Sequence, residues 1–142
     1  MKNILFVILA LLLAGKGAIA QCDKKMIAHS EKQEMLNEQG EMVDGKDDNI
    51  AFEFTKEKIS ITIQGIDQPM IGTIKESTCE WKDAFKNGKS FFKVDYAYPN
   101  GNTGVGSVEI EGKEGKILLY VIMDRMPGRK IRVITTKFEE QK

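Results

Sequence analysis

Hydrophobic and polar residues alternate along most of the chain after Gly40, and this period of two predicts β-strands. The clearest case is segment 58–64, where isoleucines at every second position alternate with Ser60, Thr62 and Gln64. β-branched side chains suit a pleated sheet and disfavour helices. The same alternation predicts further strands around residues 50–55, 92–98 and 107–111.

Turn residues separate the predicted strands by short connections. Asn87-Gly88 and Asn100-Gly101 tolerate positive φ angles, and Pro127-Gly128 fits the centre of a type II turn. Short connections place consecutive strands side by side and antiparallel. We expect an all-β meander of about eight strands that closes into a barrel, because an open sheet of that size would expose a long edge. A two-sheet β-sandwich satisfies the same alternation and is the alternative fold.

Three segments fit the alternation less simply. Residues 117–123 are apolar on both faces, which predicts a central strand covered on both sides or a strand at a subunit contact. Residues 24–36 fit neither template; a strand entering a hairpin at residues 37–40 is favoured over a short helix. Residues 71–81 predict one or two strands, with an interruption near Ser77.

The C-terminal strand, at about residues 130–138, changes phase along its length. Ile131 and Val133 share one face, whereas Ile134 and Phe138 share the other. A change of phase requires an extra residue in one strand of a pair, so a β-bulge is predicted near Val133.

The first twenty residues have the features of a secretory signal peptide. Lys2 precedes the apolar run 4–14, and Ala18-Ile19-Ala20 supplies small residues before a cut after Ala20. The apolar run is too short to cross a bilayer as a helix. The sequence therefore predicts a signal peptide over 1–20, a single β-barrel domain over 21–142, a secreted or periplasmic location, and no transmembrane segment in the mature chain.

Both cysteines, Cys22 and Cys79, lie beyond the predicted cut, and an even count outside the cytosol favours a disulfide between them. It would close a loop of roughly 58 residues, worth about 4 kcal/mol of chain entropy. A lipid anchor at Cys22 is disfavoured, since the long polar side chain of Gln21 precedes it. Two thiols and the single His29 cannot complete a tetrahedral zinc site, so no metal is predicted.

Charge and composition exclude several function classes. Twenty-one basic residues balance 21 acidic ones, which argues against nucleic acid as a partner because phosphate binding needs a basic surface. The 42% hydrophobic content excludes a disordered chain. His29 has no nucleophile in a recognisable motif near it, so an exposed or hydrogen-bonded strand residue is the preferred interpretation. No enzyme activity and no cofactor are predicted.

Two segments resemble ligand motifs only in part. Residues 101–106 are glycine-rich but lack the Lys-Ser/Thr of a phosphate loop, and we interpret them as a hairpin turn. Residues 44–49 are acidic, but Lys46 occupies a position where calcium would need an oxygen ligand. A solvated turn is the preferred interpretation of that segment.

All three arginines lie close together near the C-terminus, at Arg125, Arg129 and Arg132. Arg125 and Arg129 flank the turn at Pro127-Gly128, where they could contact an anion or a protein partner at the barrel rim. The simpler interpretation is an ordinary charged loop tip.

The strand pattern and the length of the mature chain resemble the small secreted lipocalin-like proteins of bacteria. The resemblance covers roughly residues 26–138 and rests on architecture, since the Gly-x-Trp signature is absent and the only tryptophan is Trp81. Relatives that bind fatty acids use an Arg-x-Tyr pair near the C-terminus, but here Val133 and Ile134 follow Arg132. The resemblance implies binding of a small apolar molecule inside the barrel.

The leading functional hypothesis is a non-enzymatic exported protein that binds a small apolar ligand in the barrel interior. Tyrosine hydroxyls or an inward Arg132 would orient the ligand. The predicted lining residues are Phe52, Phe54, Ile61, Val94, Tyr96 and Ile110. These side chains either fill a solid core or surround a ligand cavity.

One alternative is an interaction module, such as an inhibitor or envelope-assembly factor, with segment 117–123 forming a homodimer or partner face. An enzyme of unknown class is the last alternative.

Overall fold

The computed structural model describes residues 22–142 and contains eight β-strands. The predicted signal peptide, residues 1–20, lies outside the described residues. The strands are β1 (Met26–Leu36), β2 (Met42–Phe54), β3 (Lys58–Ile63), β4 (Met70–Asp83), β5 (Asn87–Ala97), β6 (Thr103–Lys113), β7 (Lys116–Met123) and β8 (Lys130–Glu140).

Each strand pairs antiparallel with the next one in sequence, and β8 pairs back to β1, so the meander closes into a barrel. The closing register runs from Met26 opposite Glu140 to Leu36 opposite Lys130. The all-β barrel prediction is thereby confirmed over the sandwich alternative. Closure leaves no open edge along the sheet, which is the physical reason for favouring a barrel at this strand number.

The interior side chains follow the alternation in the sequence. In β5, Phe92, Val94 and Tyr96 point inward and are almost fully buried, whereas Lys93 and Asp95 between them are exposed. Equivalent inward positions from the other strands complete one continuous core, which includes Ala28, Phe52, Phe54, Ile59, Val108, Ile110, Leu119 and Val133.

Three local predictions need correction. Segment 71–81 is not interrupted near Ser77, since β4 is continuous through it. The break in its alternation corresponds to a shift in pairing with β5 between Ile74 and Glu76. Segment 44–49 is not a turn but part of β2, which pairs there with β1 alone. The glycine-rich segment is a turn only up to residue 102, since β6 begins at Thr103. Residues 26–36 do form a strand, as favoured.

The bulge in β8 lies near Thr136 and not near Val133. Thr135 is opposite Ser30 and Lys137 is opposite His29, so Thr136 is the extra residue. The pairing of Val133 with β7 is regular. Because the phase changes after Thr135, Phe138 returns to the barrel interior, where its ring contacts those of two other aromatic residues, Trp81 and Phe85.

One end of the barrel is closed by side chains, and we call it the sealed end; it carries the short connections 55–57, 84–86 and 114–115. The Phe138 ring centroid lies 6.3 Å from that of Trp81 and 5.3 Å from that of Phe85. Trp81 Nε1 donates a buried hydrogen bond of 2.8 Å to Ser90 Oγ. The predicted disulfide between Cys22 and Cys79 is present and ties the segment before β1 to β4 at this end.

The opposite end, which we call the open end, carries the connections 37–41, 64–69, 98–102 and 124–129. All four are longer than any connection at the sealed end. The strands also pair over less of their length near the two longest connections. β3 and β4 pair over Lys58–Ile61, and β7 and β8 pair over Leu118–Val121. The barrel wall is therefore less tightly closed at the open end.

Candidate functional site

A cavity of about 360 Å³ lies inside the barrel at the open end. Its walls are largely apolar and come from six strands and three connections. The deep part is lined by Ile50, Phe52, Ile61, Ile63, Val121 and Val133, and the mouth by Ile66, Met70, Pro99, Met123, Met126 and Ile131. Four polar side chains complete the lining, namely Gln33, Gln68, Tyr98 and Arg125.

The cavity ends where the aromatic core begins. Phe52 lines the cavity, and its ring stacks at a centroid distance of 6.2 Å on Phe54, which does not line it. Phe54 in turn packs against Phe92 at 5.7 Å. These large rings fill the barrel toward the sealed end, so the open end alone contains a sizeable interior space within residues 22–142.

The predicted lining residues divide between cavity and core. Phe52 and Ile61 line the cavity. The other four lie deeper, are almost completely buried and pack in the solid core, and they are Phe54, Val94, Tyr96 and Ile110. All six share the inward face, but their heights along the barrel axis differ, and alternation alone carries no information about height.

Arg132 does not reach the cavity, contrary to its predicted role in orienting a ligand. It lies between the inward residues Ile131 and Val133, so its side chain points outward. There its Nε donates a hydrogen bond of 2.7 Å to Glu34 Oε2. This bond and the positive charge of Arg132 hold the pKa of the Glu34 carboxyl below its usual value.

The two other arginines occupy different positions on the connection between β7 and β8. Arg125 lines the cavity mouth, and its guanidinium lies 4.2 Å above the centroid of the Tyr98 ring, a cation–π contact. Arg129 is not part of the lining; its Nη1 lies 3.6 Å from Met35 Sδ. The predicted pair of rim arginines therefore contains one cavity residue and one residue outside it.

Tyr98 is the polar residue that the predicted lining omitted. Its ring stacks on that of Tyr96, with centroids 6.1 Å apart. Tyr98 follows Tyr96 by two positions and so shares its inward face, which is the signal that identifies it. Its Oη is buried and has no hydrogen-bond partner within residues 22–142.

Two glycines of β6 make room for these tyrosines. A Cβ added at Gly106 would lie 2.8 Å from Tyr96 Cε2, and one added at Gly104 would lie 3.1 Å from Tyr98 Oη. The Tyr96 hydroxyl donates to Ser107 O at 3.1 Å, and burial raises the pKa of Tyr96 well above its usual range. The glycine-rich segment therefore positions aromatic rings at the boundary between core and cavity.

The outer face of β7 is partly covered by the chain itself. Leu118, Tyr120 and Ile122 point outward and are half-buried. Lys130 Nζ lies 4.9 Å from the Tyr120 ring centroid. This cover accounts for part of the two-sided apolar pattern without a subunit contact.

Other candidate chemistry is spread over the surface. His29 is exposed on the outside of β1, in a shallow groove with Glu31 and Asn49. Within residues 22–142, no three His, Cys, Asp or Glu side chains are placed to hold a metal ion. No helix in that part of the chain is long and apolar enough to cross a membrane.

No protein-family model, curated protein or solved structure matches this chain. The cavity and the residues around it are therefore the features from which a function can be inferred.

Proposed function

We propose that this protein binds a small, mainly apolar molecule in the cavity at the open end of the barrel. The observation that carries the proposal is the contrast within one interior: the aromatic core fills the sealed end, and about 360 Å³ is left at the open end. Ligand cavities in proteins range from about 300 to 1,000 Å³, so this one suits a small ligand. The proposal agrees with the resemblance to lipocalin-like proteins.

Affinity would come from apolar contact with the cavity walls. Isoleucine, valine and phenylalanine side chains form the deep part, and burial of apolar surface contributes about 25 cal/mol per Å². Three methionines, Met70, Met123 and Met126, line the mouth. Methionine side chains are flexible and polarisable, so they can adapt to ligands of different outline.

We favour a binding protein over an enzyme because of the titratable groups at the cavity. Those lining it within residues 22–142 are Tyr98 and Arg125, and neither forms a pair with a carboxylate or histidine there. General acid–base catalysis needs a group that gains or loses a proton near the working pH. The disulfide supports action outside the cytosol, in the secreted or periplasmic location proposed from the signal peptide.

Filling the cavity tests the proposal. Met123→Trp places an indole in the lining, whereas the adjacent Ile122→Trp places the same group on the outer face of β7. The probe is N-phenylnaphthylamine, a neutral dye that fluoresces in apolar surroundings. We expect the wild-type chain and Ile122→Trp to enhance its fluorescence with equal affinity, and Met123→Trp to bind it at least about tenfold more weakly.

Thermal unfolding of both variants is the control for a folding defect. If Met123→Trp unfolds at the wild-type temperature and still binds the dye with unchanged affinity, the cavity is not the binding site. If the wild-type chain does not bind this dye or other small apolar compounds, the proposed function is wrong.

A further inference from the structure

We propose that the ligand of this cavity carries a carboxylate, which Arg125 and Tyr98 bind at the mouth while the apolar body enters the barrel. The inference rests on the proposed function and specifies the ligand class. It follows from three features at the mouth: a cation without an acidic partner, a buried hydroxyl without a hydrogen bond, and apolar walls that lead inward from both.

Arg125 is held at the mouth without being neutralised. Its guanidinium stacks over the Tyr98 ring at 4.2 Å, and this contact uses the flat face of the group and leaves the N–H donors at its edge available. Arg125 forms no ion pair with any carboxylate of residues 22–142, whereas Arg132 on the same part of the chain is paired with Glu34. The planar edge of a guanidinium matches the two oxygens of a carboxylate.

The hydroxyl of Tyr98 gives the second point of attachment. Its Oη is buried without a partner in the described part of the chain, although the hydroxyl of neighbouring Tyr96 is satisfied by Ser107 O. A buried polar group without a hydrogen bond is destabilising, and an acceptor on the ligand would remove that cost. Since Arg125 lies directly over the Tyr98 ring, one small anion can contact both residues.

Asp124 limits where the anion can bind. The Asp124 carboxylate and the Tyr98 hydroxyl both lie next to Gly104. A Cβ added at this glycine would be 2.6 Å from Asp124 Oδ1 and 3.1 Å from Tyr98 Oη. Asp124 is exposed and does not line the cavity. Its negative charge repels an anion, so the carboxylate must bind on the cavity side of Arg125.

A single negative charge fits the mouth better than a dianionic phosphate. Arg125 is the one cationic side chain in the lining formed by residues 22–142, and no lysine accompanies it there. Apolar side chains run from Met126 and Ile66 at the mouth to Phe52 at the deep end. The matching ligand is therefore an amphiphile with one carboxylate and a short apolar body.

Decanoate, decanol and decylamine test the inference, because they have the same ten-carbon skeleton and differ in the charge of the headgroup. Each is titrated against bound N-phenylnaphthylamine at pH 7 and low ionic strength, below its micelle concentration. The measured quantity is the affinity for decanoate divided by the affinity for decanol. This ratio cancels the contribution of the ten-carbon alkyl chain that the two compounds share. A charge-assisted hydrogen bond at a partly exposed site corresponds to about a tenfold change in affinity, so Arg125→Gln should lower this ratio by about that factor.

Matched variants separate a direct contact from general electrostatics. Arg129→Gln removes the same charge from the same connection but outside the cavity, and it should leave the ratio within about twofold of wild type. Tyr98→Phe should lower the ratio by about threefold, since it removes one neutral hydrogen bond. Asp124→Asn should raise it, because a repulsive charge is removed. Decylamine should bind more weakly than decanol in the wild-type chain.

Two results would overturn the inference and leave the proposed function intact. One is an unchanged decanoate-to-decanol ratio in Arg125→Gln, and the other is an equal loss in Arg125→Gln and Arg129→Gln. Failure of the dye and of all three compounds to bind would overturn the proposed function as well.

Discussion

The two ends of this barrel are built from the same eight strands but differ in what their side chains do. At the sealed end, Trp81, Phe85 and Phe138 pack together, and the disulfide ties the segment before β1 to β4. At the open end, longer connections surround a cavity whose mouth carries Arg125 over Tyr98. Groups that stabilise the fold and groups that could bind a ligand are therefore separated along the barrel axis.

This separation has a physical advantage. A cavity removes contacts and lowers stability, because cavity walls lose packing partners. A small barrel can tolerate that loss when another part of the same core is tightly packed and covalently linked. The comparison predicts that substitutions at the sealed end change mainly the free energy of unfolding, and that substitutions at the open end change mainly binding.

The largest expected effect is at the disulfide. Replacement of Cys22 and Cys79 together by alanine should lower the free energy of unfolding by about 4 kcal/mol, because the two residues are 57 positions apart and the bond restricts the unfolded chain. Urea unfolding followed by tryptophan fluorescence measures the change. Trp81 is close to Cys79 through Ser90, so its fluorescence reports on the sealed end.

The same variant tests whether the two ends are independent. Under conditions where it is folded, its affinity for N-phenylnaphthylamine should equal that of wild type, since neither cysteine lines the cavity. A folded double variant with a large loss of dye affinity would contradict the separation. A free energy of unfolding equal to wild type would contradict the stabilising role of the bond.

A matched pair of glycine substitutions gives an intermediate effect. A Cβ at Gly112 would lie 2.6 Å from Trp81 Cζ3 and 2.9 Å from Ile117 Cδ1, whereas one at Gly45 near the open end meets nothing closer than 3.7 Å. Gly112→Ala should therefore lower the free energy of unfolding by about 1–3 kcal/mol through overpacking. Gly45→Ala should change it by less than about 0.5 kcal/mol. Equal effects in urea unfolding would contradict the difference in packing around these two glycines.

The sequence predicts the barrel well because its signals are local. Alternation locates the strands, and short connections make neighbours antiparallel. Turn residues mark most of the connections, but Asn87-Gly88 begins β5 and the turn before it is residues 84–86. Alternation also predicts that Arg132, between Ile131 and Val133, points outward. The expectation that Arg132 points inward was wrong because it did not apply the alternation of inward and outward side chains along β8.

The site could be predicted only in part, because it depends on height along the barrel axis and on long-range contacts. Phe52 and Phe54 share a face and neighbour each other, but only Phe52 meets the cavity. The difference arises from where β3 ends and where β7 and β8 separate. The contact between Tyr98 and Arg125 likewise joins two connections that are distant in sequence, and no local pattern indicates it.

The smallest expected effect concerns the outer wall near the open end, at the pair of Glu34 and Arg132. The Glu34 side chain is 8% exposed and that of Arg132 is 30% exposed. The hydrogen bond from Arg132 lowers the pKa of Glu34 from its ordinary value of 4.5, with desolvation opposing the shift and Lys32 adding to it. The folded state therefore holds the ionised carboxylate more favourably than the unfolded chain does.

The sign of the pH dependence follows from this lowered pKa. The pair stabilises the fold fully above the unfolded-state pKa, near 4.5, and the contribution is lost as the pH falls through the lower folded-state pKa. Between pH 7 and pH 3, wild type should lose about 1 kcal/mol more stability than Glu34→Gln, measured by urea unfolding. Glu38→Gln is the control, because this exposed carboxylate forms no ion pair within residues 22–142. Parallel pH profiles for wild type and Glu34→Gln would show that the ion pair adds nothing to the free energy of unfolding.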